Sequence, residues 1–210
     1  MNSKTLYRIG IAGVVLFVLA TVLAHLQMNR FYPMSQYISE SFALGTPYGS
    51  YLRYLGVLPS GILITLFTIK VPNLVEDYSP AKWGFYLFAI FYGLGTVIIA
   101  FFPCEMGCSR GRSDIGTLQM MHNAFGMLTY FVSPFALVLI GTKLKGLLLN
   151  GNLSAVSFVC GFLSLVFIYL FATGPEGNFV GLFQRLAEAT FLFWIVYTAI
   201  NVKTCYTSKK

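Results

Sequence analysis

Charge is what this chain has least of. Only 10% of its 210 residues are Asp, Glu, Lys or Arg, and just seven residues are acids. A soluble domain carries roughly 25% charged residues. With 57% hydrophobic residues and a mean hydropathy of +0.73, this chain cannot cover a water-facing surface. The deficit excludes a soluble enzyme, a nucleic-acid-binding domain and a disordered chain together. A pI of about 9.3 does not restore the nucleic-acid reading, because the basic residues punctuate apolar runs instead of clustering on one face.

What is present is a series of six apolar runs, near residues 7–28, 51–70, 83–102, 117–142, 153–173 and 179–202. Each has about the 20 residues a helix needs to cross hydrocarbon. The remaining pieces average about 12 residues, too short for a soluble domain. The runs lack the alternation of the roughly 10-residue strands of a membrane barrel. The expected fold is all-α, one six-helix transmembrane bundle over residues 1–210. With the N-terminus inside, Lys4, Arg8, Lys70, Lys82, Lys143, Lys145, Lys203, Lys209 and Lys210 fall on the cytoplasmic side, against Arg30, Arg53, Arg110, Arg112 and Arg185 outside. The positive-inside rule then places both termini in the cytoplasm. The acids lean the other way: Glu76 and Asp77 inside, Glu40, Glu105, Asp114, Glu176 and Glu188 toward the outside. Residues 4–24 also resemble a cleavable signal peptide, but the run is long and five more follow, so a retained first helix is the reading adopted.

The fourth run carries a polar stripe. Gln119, His122, Asn123, Gly126, Thr129, Tyr130 and Ser133 repeat with the helical period and share an arc of about 120°. Small polar residues often bind membrane helices together, but three larger groups within little more than a turn favour a hydrated pocket near the outer end. In the sixth run Gln184, Arg185 and Glu188 share a face, with Glu188 about 13 Å below the helix start. Arg185 and Glu188 either pair with each other at spacing three or meet the His122 stripe in a site. Thr21, His25 and Asn29 share a face of the first run. Haem ligation by His25 and His122 would need facing imidazoles and a large apolar slot; the reading adopted is no cofactor and no metal.

The segment 31–49 reads FYPMSQYISESFALGTPYG, a short amphipathic stretch between Pro33 and Pro47. Tyr37, Ile38 and Phe42 are expected against lipid, with Glu40 turned to the bundle. In FPCEMGCSRGRSD, Cys104 and Cys108 are close enough for a disulfide in an oxidising compartment; free thiols, or a metal given more ligands, are the alternatives. Cys160 lies mid-membrane and Cys205 in the cytoplasm. Pro59 is expected to kink the second helix by freeing the Leu55 carbonyl. Ser154, Ser157, Gly161 and Ser164 form a small-residue seam on the fifth helix, and Gly93 and Gly95 one on the third.

The runs YPMSQYISE, FPCEMGC, MHNAFG and GLFQRLAE, in that order, resemble a family of six-helix membrane proteins of bacteria and archaea known as a domain of unknown function (the 998 type). The resemblance covers nearly the whole chain. It implies that Ser35, Ser39, Glu40, Pro103, Cys104, Glu105, His122, Gln184 and Arg185 are recurring polar positions, with Glu105 standing where an Asp is common. It implies no activity. A weaker likeness is to Frag1/DRAM-type proteins, which suggests lipid handling by analogy. Zinc ceramidases are a poorer match, since two histidines leave their ligand set short.

Four functions compete. The first is an outward-facing pocket for a lipid head group or small polar ligand, using Glu40, Gln119, His122, Asn123, Gln184, Arg185 and Glu188, with Arg185 suited to phosphate or carboxylate. The second is an enzyme on a lipid or isoprenoid of the outer leaflet, with His122 as acid or base, Glu188 or Glu105 orienting it, and Ser35 or Ser39 as nucleophile candidates. The third is a structural or assembly partner, and the fourth a transporter, for which no inverted repeat is evident. The expected surroundings are the lipids of the cell (plasma or inner) membrane; no nucleic-acid partner is expected.

Overall fold

The computed structural model describes residues 2–74, 80–109, 114–144, 152–174 and 177–207. Glu76, Asp77, Arg110, Arg112, Lys145, Glu176, Lys209 and Lys210, which enter the charge count above, lie outside the described residues, as does the side chain of Cys205.

Six long helices carry the fold: α1 Ser3–Leu26, α2 Gly49–Leu74, α3 Ala81–Phe101, α4 Thr117–Lys143, α5 Asn152–Thr173 and α6 Val180–Thr207. No strand occurs among the described residues. The first five are long and apolar enough to cross a membrane; α6 carries more polar residues, of which Gln184, Glu188, Thr198 and Asn201 are buried. The protein is a multi-pass membrane protein built as an all-α bundle. Each helix packs on the next in sequence, and α6 returns to α1, which closes a ring. With six helices in alternating direction, the start of α1 and the end of α6 lie at one end of the bundle, the terminal end; the segments after α1 and α3 lie at the other, the loop end. The outer faces keep large apolar side chains such as Leu23, Leu55, Phe131 and Phe162 exposed, the surface that lipid solvates.

Close backbone approach fixes several neighbours. A Cβ on Gly141 of α4 would lie 2.5 Å from the Phe158 nitrogen of α5, and one on Gly161 of α5 would lie 2.8 Å from the Pro134 carbonyl. On α3, Gly93 abuts Thr65 of α2 and Gly95 abuts Thr129 of α4. The terminal half of the interior is packed with rings from α2, α3 and α6, among them Phe67, Phe85, Phe88, Phe191 and Trp194, and the Trp194 indole donates to Ser157 Oγ at 2.8 Å.

The prolyl mismatch in α2 takes a specific form. Pro59 has no N–H for the Leu55 carbonyl, and the turn just before it, Arg53–Val57, is π-helical, with the Leu58 N–H reaching the Arg53 carbonyl. A second π turn spans Ala89–Leu94 in α3, where the Phe91 carbonyl accepts from Thr129 Oγ1 at 2.8 Å. Such turns concentrate at functional sites, and both open toward the same space.

Two expectations are corrected. Helix α1 ends at Leu26, so Asn29 does not continue the Thr21–His25 face; it is exposed in the following turn. Ile38 and Phe42 do not lie against lipid. They form a 3-10 helix, Ile38–Phe42, and pack with Ala20, Ala24, Val57 and Ala100. Small residues on α1 and α3 leave a gap at the loop end that these two side chains fill, so the amphipathic face points in.

Candidate functional site

Beneath the segment 31–49 the bundle holds a partly open cavity of about 100 Å³. A dry cavity of about 150 Å³ takes benzene, so this one has room for a few waters or a small polar group. Its walls are mostly apolar, with Phe17 from α1, Ile38 and Phe42 from the short helix, and Val57, Ile99 and Ala100 from α2 and α3. Polar groups enter at two levels. At about 1.5 Å per residue, Arg53 and His122 lie about 6 and 8 Å below the loop ends of their helices, and Glu188 and Tyr92 about 12 and 14 Å.

The floor is a carboxylate held by phenols. Tyr92 OH donates to Glu188 Oε2 at 2.8 Å, and Tyr130 OH donates to Oε1 at 2.6 Å. Tyr130 OH accepts from Gln184 Nε2 at 3.0 Å, and Gln184 Oε1 accepts the Ile38 N–H at 2.7 Å. A chain of hydrogen bonds thus runs from the short helix to Glu188, which is only 7% exposed. Among the described residues no salt bridge reaches Glu188. Two phenol donors, one on each oxygen, are placed to stabilise the ionised form of the carboxyl.

The upper wall holds a guanidinium. Arg53 is also 7% exposed. It donates through Nη1 to the Phe42 carbonyl and lies 5.9 Å from the Tyr54 ring, while its buried Nε has no hydrogen-bond partner among the described residues. His122, on the same cavity, faces the Phe102 carbonyl with Nδ1 at 2.8 Å. Nδ1 therefore carries the proton, and Nε2 is left as an acceptor.

Of the residues singled out from the sequence, Ser39, Pro103, Cys104, His122, Gly126, Thr129, Tyr130, Gln184 and Glu188 line the cavity, with Ile38 and Phe42. Glu40, Gln119, Asn123, Glu105 and Arg185 do not; they hold the loops that roof it. Glu40 caps its own short helix, accepting from Tyr37 N at 2.9 Å and Gln36 Nε2 at 3.1 Å. Gln119 accepts from Glu105 N at 2.8 Å and donates to Asn123 Oδ1 at 2.7 Å; Glu105 Oε1 in turn accepts from Gly116 N at 2.9 Å. Arg185 gives Nη1 to the carbonyls of Pro33, Gln36 and Gly181 at 2.6, 2.8 and 2.9 Å. Its Nη2 meets His25 Nε2 at 2.9 Å, and Phe31 stacks on that imidazole. Arg185 and Glu188, three apart, therefore turn to different partners. His25 and His122 likewise serve different elements. The His122 ring is held by a backbone carbonyl in place of either acid, and the part of the stripe that meets Glu188 is Tyr130. Cys104 and Cys108 are joined in a disulfide with Cα atoms 5.0 Å apart. Ser39 Oγ lies 3.3 Å from Cys108 Sγ, and Leu44 N donates to the Cys104 carbonyl at 2.9 Å, so the bridged turn is tied to the roof. Cys160 is free and buried. Ser35 lies in the turn before the short helix.

The model of a family described as "Protein of unknown function (DUF998)" matches residues 11–201. The chain belongs to that family. The likeness drawn from the YPMSQYISE, FPCEMGC, MHNAFG and GLFQRLAE runs is thereby confirmed, and the description names no activity. The chain is also similar to the nucleobase transporter PlUacP of Paenibacillus larvae, 26% identical over 95 residues that make up 45% of this chain and 21% of that protein. It thus spans about a fifth of that relative's length. No solved structure matches it.

Among the cavity residues that escaped the sequence reading, two carry its polar chemistry. Arg53 was counted only as an outer-side charge, although an arginine inside YLRYLGVLPSG, six residues before a proline, signals a distorted turn. Tyr92 sits among the aromatic residues of α3, and nothing in AIFYGLG sets it apart.

Proposed function

We propose that this family member holds a small polar ligand or a lipid head group in the loop-end cavity, facing outward from the cell membrane with both termini in the cytoplasm. One observation carries the reading: a carboxylate, two phenols and a guanidinium converge on a single recess at membrane depth. Ionised groups there cost about 2.5–3.5 kcal/mol on insertion scales, and helix adhesion alone needs no such set. Space beside these groups, in a pocket with few but convergent polar atoms, is the form of a ligand site. Arg185 and Glu40 support it indirectly by fastening the roof.

Gly126 offers a direct test. It lines the cavity, and a Cβ there would meet nothing within 4 Å, so Gly126→Leu starts its side chain from open space beside the recess. Glycine inside a helix is about 1 kcal/mol less favourable than a better helix former, so the unliganded variant is expected to be at least as stable as the natural chain. A ligand at 100 times its Kd stabilises by about 2.7 kcal/mol. Screening the protein in nanodiscs against nucleobases, phosphate esters and ammonium compounds should give such a thermal shift, absent in Gly126→Leu. No shift from any compound, with no lipid retained in native mass spectrometry, would remove the proposal.

Transport is a second reading. The similarity to a nucleobase transporter and the two π turns, which give α2 and α3 places to bend beside the cavity, favour it. Uptake of labelled uracil into proteoliposomes tests it, and uptake no faster than into protein-free liposomes sinks it.

A further inference from the structure

We infer that the cavity takes a small zwitterion, with its anionic end on Arg53 and its ammonium end on Glu188. This deepens the ligand-binding reading and rests on it. The argument begins with two buried ions that lack counter-charges. Arg53 uses Nη1 on the Phe42 carbonyl, and its Nε, out of contact with water, has no partner among the described residues. A guanidinium carries five N–H donors in a fork shaped for phosphate or carboxylate. Glu188 accepts one phenol hydrogen bond on each oxygen, while a carboxylate has about four acceptor sites. The two residues come from α2 and α6, and both line the same recess. Their depths below the loop ends differ by about 6 Å at 1.5 Å per residue. They are arranged as an upper cationic wall and a lower anionic floor.

An anion alone satisfies Arg53 but brings a second negative charge toward Glu188. A cation alone satisfies Glu188 and faces Arg53. A neutral polar molecule supplies hydrogen bonds and leaves both ions uncompensated in a medium of low dielectric, where unpaired charge is most costly. A molecule with an ammonium and a phosphate or carboxylate on a short linker meets both, and its ammonium offsets part or all of the anion's charge. The recess is small and partly open, so a head-group-sized occupant would fill it and extend through the open side. Such chemistry belongs to a free aminoalkyl phosphate or to the head of an aminophospholipid entering from the leaflet.

Calorimetric titration of the full-length protein in detergent with phosphoethanolamine, ethanolamine, inorganic phosphate and uracil tests the inference. Phosphoethanolamine should bind at least tenfold more tightly than any of the other three. Glu188→Gln should lower its affinity at least tenfold while leaving phosphate binding equal or stronger, and Arg53→Gln should lower it likewise while leaving ethanolamine binding equal or stronger. Should either variant fail to fold, the selectivity series on the natural chain decides alone. Native mass spectrometry from nanodiscs of mixed phosphatidylethanolamine and phosphatidylglycerol separates the sources: selective retention of the first supports a lipid head, and soluble binding without it supports the free molecule. If ethanolamine, phosphate or uracil binds as tightly as phosphoethanolamine, and Gly126→Leu still blocks it, the zwitterion is wrong while the binding site stands. If no probe binds and no lipid is retained, the binding reading fails as well.

Discussion

Tyr130 joins more groups than its place in the polar stripe implies. It accepts from Gln184, donates to Glu188 and sets its ring edge-on to Phe171 at 5.1 Å. Tyr130→Phe therefore leaves an amide donor and a carboxylate oxygen unpaired, whereas Tyr92→Phe strands one oxygen only. Each buried group left unsatisfied costs about 1–3 kcal/mol. Thermal unfolding in detergent should show the larger loss for Tyr130→Phe; an equal or smaller loss would contradict the hydrogen-bond chain. The period of α4 made its inward face legible, because side-chain direction follows from 3.6 residues per turn. The partners were not legible. Nothing in the spacing of Gln184, Arg185 and Glu188 says that the arginine turns up to loop carbonyls while the glutamate turns down to phenols.

Among the elements, the first part of the segment 31–49 is clasped by one side chain of α6. Arg185 holds the Pro33 and Gln36 carbonyls, and the Leu182 N–H adds a bond to the Met34 carbonyl at 2.9 Å. Arg185→Ala should raise hydrogen exchange across residues 33–42 at least tenfold and leave the middle of α4 and α5 unchanged, since local opening follows local contacts. Unchanged exchange in the roof would show that Arg185 is not its clasp. The seam between α4 and α5 predicts a different loss. Gly161→Val drives a side chain into the Pro134 carbonyl and should destabilise by about 1–3 kcal/mol, read from unfolding in denaturing detergent. Composition marked the small residues of α5, because only they let backbones touch. It misplaced Ile38 and Phe42, because an amphipathic face says that a stretch has two sides and not which of them meets hydrocarbon.

For the whole molecule, the proposed orientation puts the roof and its disulfide outside the cell, the side where disulfides persist. Alkaline phosphatase fused after Thr46 should be active and fused at the C-terminus inactive; the reverse pattern would overturn the topology and leave the fold untouched.

The class of protein, the six crossings and their approximate bounds were determined by the sequence alone, because lipid demands long uncharged helices and that demand is written in composition and run length. The recess was decided only by tertiary structure. It depends on two π turns, on a ring closure that brings α2 against α1 and α3 while α6 completes the circle, and on a loop pinned over the opening. Each is a consequence of which surfaces pack together. Arg53 and Glu188 lie 135 positions apart in the chain, and no local pattern relates residues so distant until the helices that carry them close around one space.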